Sequence, residues 1–306
     1  MIKLEELSFG QRIGLELLWW GAKLFAILPY WFKFYVVEPM LYFLLNHLLR
    51  YRRKVVMTNL RNSFPDKSDD EVRRIARGFY HNLAEVFIGT LNMSHMPRKK
   101  IARYFRMRNV EGLLDTIAGR DVIVTFAHHG LWELGMFWIY VNPTHESLGV
   151  YHQLRSKVMD LFYQRLRSTF YSVPVQKKEC MRFYLQHRAE GYRGRKLALG
   201  LIADQNPPRR PDAHWYRFLN QDTVFVDGAE QLATRYHLPV IFAPMYRVGR
   251  GRYEMAWEQI YDPNETVEKN EITERYVRRL EQMICEHPEI WMWSHRRWKQ
   301  KRNVAR

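Results

Sequence analysis

A histidine and a carboxylate five positions apart, His128 and Glu133, stand in the hexad His128-His129-Gly130-Leu131-Trp132-Glu133. An imidazole that accepts a proton and a carboxylate that fixes its tautomer are the two parts of a general base. On a continuous helix, residues five apart are rotated off each other's face, so the pair meets only if His128 lies in a turn and Glu133 in the first turn of a following helix. Gly130 permits the sharp turn this requires. His129 has the neighbouring spacing and competes for the same role. The plainer alternative is a histidine hydrogen-bonded at a turn, with a glutamate facing solvent.

The flanking segments supply the elements that the hexad needs. Asp121 to Ala127 is a short apolar run, read as a buried strand entering a tight turn and then a helix. Leu197 to Ala203 and Leu238 to Met245 are similar runs separated by helical patterns. Together they predict an α/β fold with a mixed, mostly parallel sheet covered by helices. A histidine at a strand's carboxyl end then sits where open α/β sheets place their active sites. Lys67 to Glu71 reads as a loop and helix start, with Asp70 and Glu71 suited to the amino end of a helix running toward Met93. Glu271 to Cys285 has helical spacing and leads into the aromatic run Trp291-Met292-Trp293-Ser294-His295.

The chain has 306 residues, 47% of them hydrophobic, which suits one large domain with a terminal extension. Lys and Arg number 48 against 32 Asp and Glu, a net charge of +16, so the surface seeks anions such as phospholipid headgroups, phosphorylated substrates, an acidic carrier protein or nucleic acid. Cys180 and Cys285 are the only cysteines and lack metal-ligand spacing, which argues against a disulfide framework or structural zinc and for a reducing compartment. From Leu15 to Leu49 the chain is dense in aromatic and aliphatic residues, but Glu16, Lys23, Lys33 and Glu38 interrupt it and Pro29 and Pro39 break it. No clean run of membrane-spanning length results. Residues 1–49 are therefore read as a membrane-associating helical segment, either one imperfect span or, the favoured reading, helices lying in the bilayer interface with Trp19, Trp20, Trp31 and Tyr35 at headgroup depth, against the plainer alternative of a buried hairpin of helices; residues 50–306 are read as a separate domain that carries the hexad. The basic cluster Arg50, Arg52, Arg53 and Lys54 follows at once and favours the cytoplasmic side.

Three ordered stretches resemble the lipid A late acyltransferases, the lauroyl and myristoyl transferases of Gram-negative bacteria, which carry a His-x4-Asp/Glu motif. They are Arg53 to Pro65, with its Asn-Leu and Phe-Pro; Val124 to Leu134, with the hexad; and Pro288 to Lys299, close to the family's Trp-x-His-Arg-Arg signature. Leu131 and Asn206 depart from the common pattern. The resemblance implies a glycerolipid acyltransferase-like fold and transfer of an acyl chain from acyl carrier protein to a hydroxyl of a membrane glycolipid, at the cytoplasmic face of the inner membrane. It implies His128 as base and Glu133 as its orienting carboxylate. Arg167, with Arg165 as competitor, would clamp a substrate phosphate, and Asp204 would orient Arg167 or a substrate hydroxyl. Backbone donors near Gly130 would stabilise the oxyanion. Arg296 and Arg297 could reach phosphates. No cofactor or metal is implied.

Other readings of the same residues predict different behaviour. Acylation of a lysophospholipid or an amino-acid lipid would use the same two side chains. A metal-dependent hydrolase built on His128, His129 and Glu133 needs a further ligand-spaced cluster, which the sequence does not offer. A non-enzymatic basic protein bound to membrane or nucleic acid accounts for the charge but not for the hexad, and no nucleic-acid motif is present.

Overall fold

A computed structural model describes residues 2–137, 144–169 and 172–302. The chain opens with helix α1 (Phe9–Ile27) and a second helical stretch, α2 (Tyr30–Leu48), with π-turns at Lys33–Val37 and Leu44–Leu48. Helices α3 (Arg53–Ser63) and α4 (Asp69–Asn92) follow; α4 begins where expected, and Ser68 and Glu71 close its start in a reciprocal capping box. Next come α5 (Arg98–Tyr104), β1 (Phe105–Met107), α6 (Val110–Ile117) and β2 (Val122–Phe126), then a 3-10 helix (Trp132–Phe137). The doubly covered sheet continues through β3 (His145–Tyr151), α7 (Lys157–Ser168), β4 (Val173–Gln176), α8 (Lys177–His187) and β5 (Lys196–Ile202). A hairpin, β6 (Trp215–Phe218) with β7 (Gln221–Val224), precedes α9 (Gly228–Tyr236), β8 (Val240–Phe242), β9 (Met245–Gly249), β10 (Arg252–Met255), β11 (Glu258–Tyr261) and α10 (Glu271–Glu286).

The six-stranded sheet has the order β11-β8-β2-β5-β3-β4. Five of its strands run parallel, and β11 joins the edge antiparallel to β8. The apolar runs at 121–127 and 197–203 are the two central strands, and the run at 238–245 divides between β8 and the first residue of β9. Alternate strand residues enter different halves of the core, as a sheet covered on both faces requires. Ile123, Leu199 and Phe242 pack with α3, α9 and α10, whereas Val124, Ala198 and Ile241 pack with α1, α6 and α7.

The amino-terminal segment is built into this second half. Leu15, Trp19 and Ala22 of α1 are buried, and Trp19 meets the ring of Phe162 on α7 edge-on. Trp19 therefore faces the core rather than a headgroup layer, because its turn of α1 is the one that packs on α7. Trp20, Trp31 and Tyr35 face outward, along with Phe9, Ile13, Leu17, Leu24 and Ile27, which recur at three- and four-residue intervals along one side of α1. The charges that interrupt the run also have internal partners. Lys33 donates to the Ala26 carbonyl and to Asn92 Oδ1, and Glu38 pairs with His81. Among the described residues no single helix is long and apolar enough to cross a membrane, and α1 and α2 meet at a bend of 109°.

Helix α3 reaches the far end of the chain. The amide of Asn59, in the Asn-Leu of the first signature, donates to the carbonyls of Trp293 at 2.8 Å and His295 at 2.9 Å. The first and third sequence signatures are thus in contact.

Candidate active site

Strands β2 and β5 are parallel neighbours, paired through Phe126 and Ile202 at their carboxyl ends. His128 and Asp204 each lie two residues beyond that pair, so the register of the sheet brings them together. The Asp204 carboxylate accepts from the His128 backbone N–H at 2.9 Å and faces His128 Nδ1 at 2.7 Å. The indole N–H of Trp291 donates to the same carboxylate at 2.9 Å. Burial of Asp204 would push its pKa up, but the charge of His128, the ring and backbone hydrogen bonds from that residue and the Trp291 N–H outweigh it and hold the group down at about 2. An ionised carboxylate can only accept, so Nδ1 carries the proton in this pair.

Glu133 has a different partner from the one expected. Its carboxylate takes a two-point fork from Arg167, Nε at 3.1 Å and Nη2 at 2.7 Å. Burial would raise Glu133, yet the Arg167 charge and fork, with smaller contributions from His128 and Trp132, lower it below the usual range. The tautomer of His128 is therefore fixed by Asp204, not Glu133. The reason is geometric: Glu133 sits in a tight 3-10 helix that carries it toward the last turn of α7, where Arg167 is waiting. Arg167 in turn is not poised as a phosphate clamp, because two donors on one edge of its guanidinium are committed to Glu133. Tyr151 and Tyr163 flank the same guanidinium, their ring centroids 5.5 and 5.4 Å from its carbon. Asp204 orients neither Arg167 nor open space for a substrate hydroxyl, since its oxygens are spent on His128 and Trp291. The competitor Arg165 is turned to α1, paired with Glu16 and lying over Trp19.

His129 is excluded as the base by its position. Its ring is buried with Nδ1 on the Met245 carbonyl at 2.9 Å, and burial is the main cause that lowers its pKa to about 4. His128, by contrast, keeps 17% of its side-chain surface exposed, with Trp132 at its edge. Gly130 does form the sharp turn, with φ of +60° and the Tyr253 ring close beneath. Its N–H donates to the Ile290 carbonyl at 2.8 Å, so it is not available to an oxyanion.

The aromatic run after α10 does more than pack. Met292 N donates to the His128 carbonyl, Ile290 accepts from Gly130, and His129 bridges to Trp291 in a short antiparallel pair. Asn206 receives Arg297 Nη1 at 3.0 Å and donates to the Arg296 carbonyl at 2.7 Å. Arg297 is 2% exposed and cannot reach a phosphate; burial lowers its pKa to about 10 despite the nearby Asp204. Sequence reasoning missed Trp291 as a partner of Asp204, and it missed Gln205, whose side-chain nitrogen lies 3.1 Å from His128 Nε2. The one available signal was that Gln205 adjoins Asp204. Beside the Glu133–Arg167 pair, a recess of about 50 Å³ is lined by Phe126, Trp132, Gly149 and Gly200 among others. Its floor is open because Gly149 and Gly200 are register neighbours on β3 and β5.

The arrangement can take a proton at His128 Nε2 while Asp204 supports the charge that develops on the ring. In comparison with known proteins, the family model for bacterial lipid A biosynthesis acyltransferases matches residues 9–300. Among solved structures, the chain is similar to the 1-acyl-sn-glycerophosphate (LPA) acyltransferase PlsC from Thermotoga maritima. The two are 13% identical over 92% of this chain and 99% of that one, with a TM-score of 0.38. A comparison with curated proteins finds no match.

The depressed Asp204 carboxyl sets an acid limb of stability. A carboxylate whose folded pKa lies below its ordinary value of 3.8 contributes stability that is present above that value and lost as pH falls toward about 2. The expected loss is about 2 kcal/mol across that window. Denaturant midpoints measured from pH 5 to pH 2 should show this step in the native protein and lack it in Asp204→Asn. Superimposable pH profiles would mean that Asp204 is not held ionised.

Proposed function

The chain belongs to the bacterial lipid A biosynthesis acyltransferase family, and from that premise we propose that it moves a fatty acyl chain from an acyl carrier protein thioester to a hydroxyl of a lipid A precursor. The observation that carries the catalytic part of this reading is the His128–Asp204 pair at the carboxyl end of β2 and β5. A neutral hydroxyl is a weak nucleophile. His128 Nε2 takes its proton as the oxygen attacks the thioester carbonyl, the carbon–sulfur bond breaks, and the imidazolium returns the proton to the departing thiolate. No covalent enzyme intermediate is needed.

Two carboxylates lie near the ring, and their partners assign them different tasks. The charge of Glu133 is largely compensated by Arg167, which leaves Asp204 as the anion that balances the imidazolium. Glu133 and Arg167 together fix the 3-10 helix and the wall of the recess beside it. At about 50 Å³ the recess has room for only a short stretch of alkyl chain next to the reacting carbonyl.

The acceptor is delivered from a membrane surface in this reading. The outward stripe of α1, with Trp31 and Tyr35, lies in the interface, and the exposed Arg50, Arg53 and Lys54 meet anionic headgroups on the cytoplasmic face of the inner membrane. Support comes from the spacing of the exposed apolar residues along one side of α1, while Leu15, Trp19 and Ala22 on the opposite side are packed.

The kinetic test uses acyl carrier protein loaded with a fatty acid and a lipid A precursor, with the product followed by its mass. His128→Ala should lower transfer by about 10²–10⁴-fold. Asp204→Asn should cause much of that loss, and the double variant should be no slower than His128→Ala, because Asp204 acts through the ring. Full transfer by His128→Ala, or losses that multiply in the double variant, would refute the assignment.

Membrane contact is tested separately. Replacing Trp20 and Leu24 together by serine should weaken cosedimentation with vesicles containing anionic lipid, with thermal stability unchanged because both side chains are already exposed. Unaltered cosedimentation would show that this stripe does not meet the bilayer.

A further inference from the structure

Consecutive residues clasp the two nitrogens of the His128 ring. Asp204 holds Nδ1, and the side-chain nitrogen of Gln205 stands 3.1 Å from Nε2. An amide nitrogen has protons to give and no lone pair to offer, so Gln205 donates and Nε2 accepts. The lone pair that would receive a proton from an attacking hydroxyl is thus already occupied in the absence of substrate. With Trp132 across the edge of the ring, His128 has little surface left for solvent.

The backbone around Gln205 is anchored, which confines any rearrangement to its side chain. Ala203 N donates to the Phe126 carbonyl, and both amide atoms of Asn206 are engaged by the Arg296–Arg297 segment. Rotation about the Gln205 side-chain bonds is enough to vacate Nε2, with no movement of Asp204.

We propose that Gln205 is a positioning residue that caps the general base, keeping water from His128 Nε2 until an acceptor hydroxyl displaces it. This deepens the acyltransferase reading and rests on it. A thioester in the site can be lost to water by the same chemistry that serves transfer: His128 takes a proton from water, the oxygen adds to the carbonyl, the carbon–sulfur bond breaks and the thiolate is reprotonated. A lone water that displaces Gln205 exchanges one hydrogen bond for another and gains little. An acceptor lipid brings the rest of its binding interactions to the same exchange and can drive it. The cap therefore discriminates between the two nucleophiles by what else they bind.

The test combines a chemical probe with a product ratio, on the full chain in detergent. Diethyl pyrocarbonate acylates an imidazole nitrogen through its free lone pair, and modification at His128 is read by peptide fragmentation. Gln205→Ala should raise the rate of modification at His128 by about fivefold, the factor that one neutral hydrogen bond corresponds to. With dodecanoyl acyl carrier protein, hydrolysis without acceptor should rise by a similar factor relative to transfer with a lipid A precursor. Gln205→Ser, a smaller polar replacement, repeats both measurements if the alanine variant does not fold. Unchanged modification at His128 would overturn the proposal, and so would hydrolysis and transfer falling in proportion. Full transfer by His128→Ala would instead reject the base assignment, while the modification rates would still report whether Gln205 covers the ring.

Discussion

A single buried carboxylate, Asp204, organises the carboxyl end of the central strands. It receives the backbone N–H and the ring Nδ1 of His128 from β2's side and the indole N–H of Trp291 from the carboxyl-terminal segment. Three donors are what an ionised oxygen pair needs when it is removed from water, since an uncompensated buried charge is costly. The same donors fix the imidazole in rotation and in tautomer. Loss of any one of them would loosen a side chain whose usefulness depends on pointing Nε2 at one place.

That requirement explains why residues remote in sequence are drawn to the hexad. The segment after α10 pairs its backbone with His128, His129 and Gly130, and Asn59 of α3 holds that segment from the other side. Arg297 is buried without a carboxylate in hydrogen-bond contact among the described residues; its Nη1 and Nη2 donate to Asn206 and the Val224 carbonyl, its Nε has no partner there, and the guanidinium lies over Phe225. Its charge helps to offset that of Asp204. The Trp-x-His-Arg-Arg signature is thus a brace for the loop that carries His128, and the basic residues within it divide between an exposed Arg296 and an internal Arg297.

Local pattern made much of the fold legible. The runs at 121–127 and 197–203 gave the central strands, and Asp70 with Glu71 gave the start of α4, because strand burial and the charge preference of a helix start are decided by neighbours in sequence. His128 and Gly130 were legible for the same reason. The partner of His128 was not. Five positions of spacing made Glu133 the natural candidate, whereas the choice of Asp204 depends on β2 and β5 lying side by side in a register that no local pattern records. Arg167 was placed near the site but given the wrong partner, because the direction of Glu133 follows from the tightness of the 3-10 helix. Trp19 was read as an interfacial aromatic along with Trp20, and the two differ only in which side of α1 meets α7.

The most direct measurement of the central claim is nitrogen NMR on protein labelled in its histidine rings, with His128 assigned by substitution. The chemical shifts should show the proton on Nδ1 and Nε2 acting as acceptor, and Asp204→Asn should disturb that pattern while Glu133→Gln leaves it in place. A pattern that survives Asp204→Asn and collapses in Glu133→Gln would contradict the account and return the orienting role to the carboxylate of the hexad.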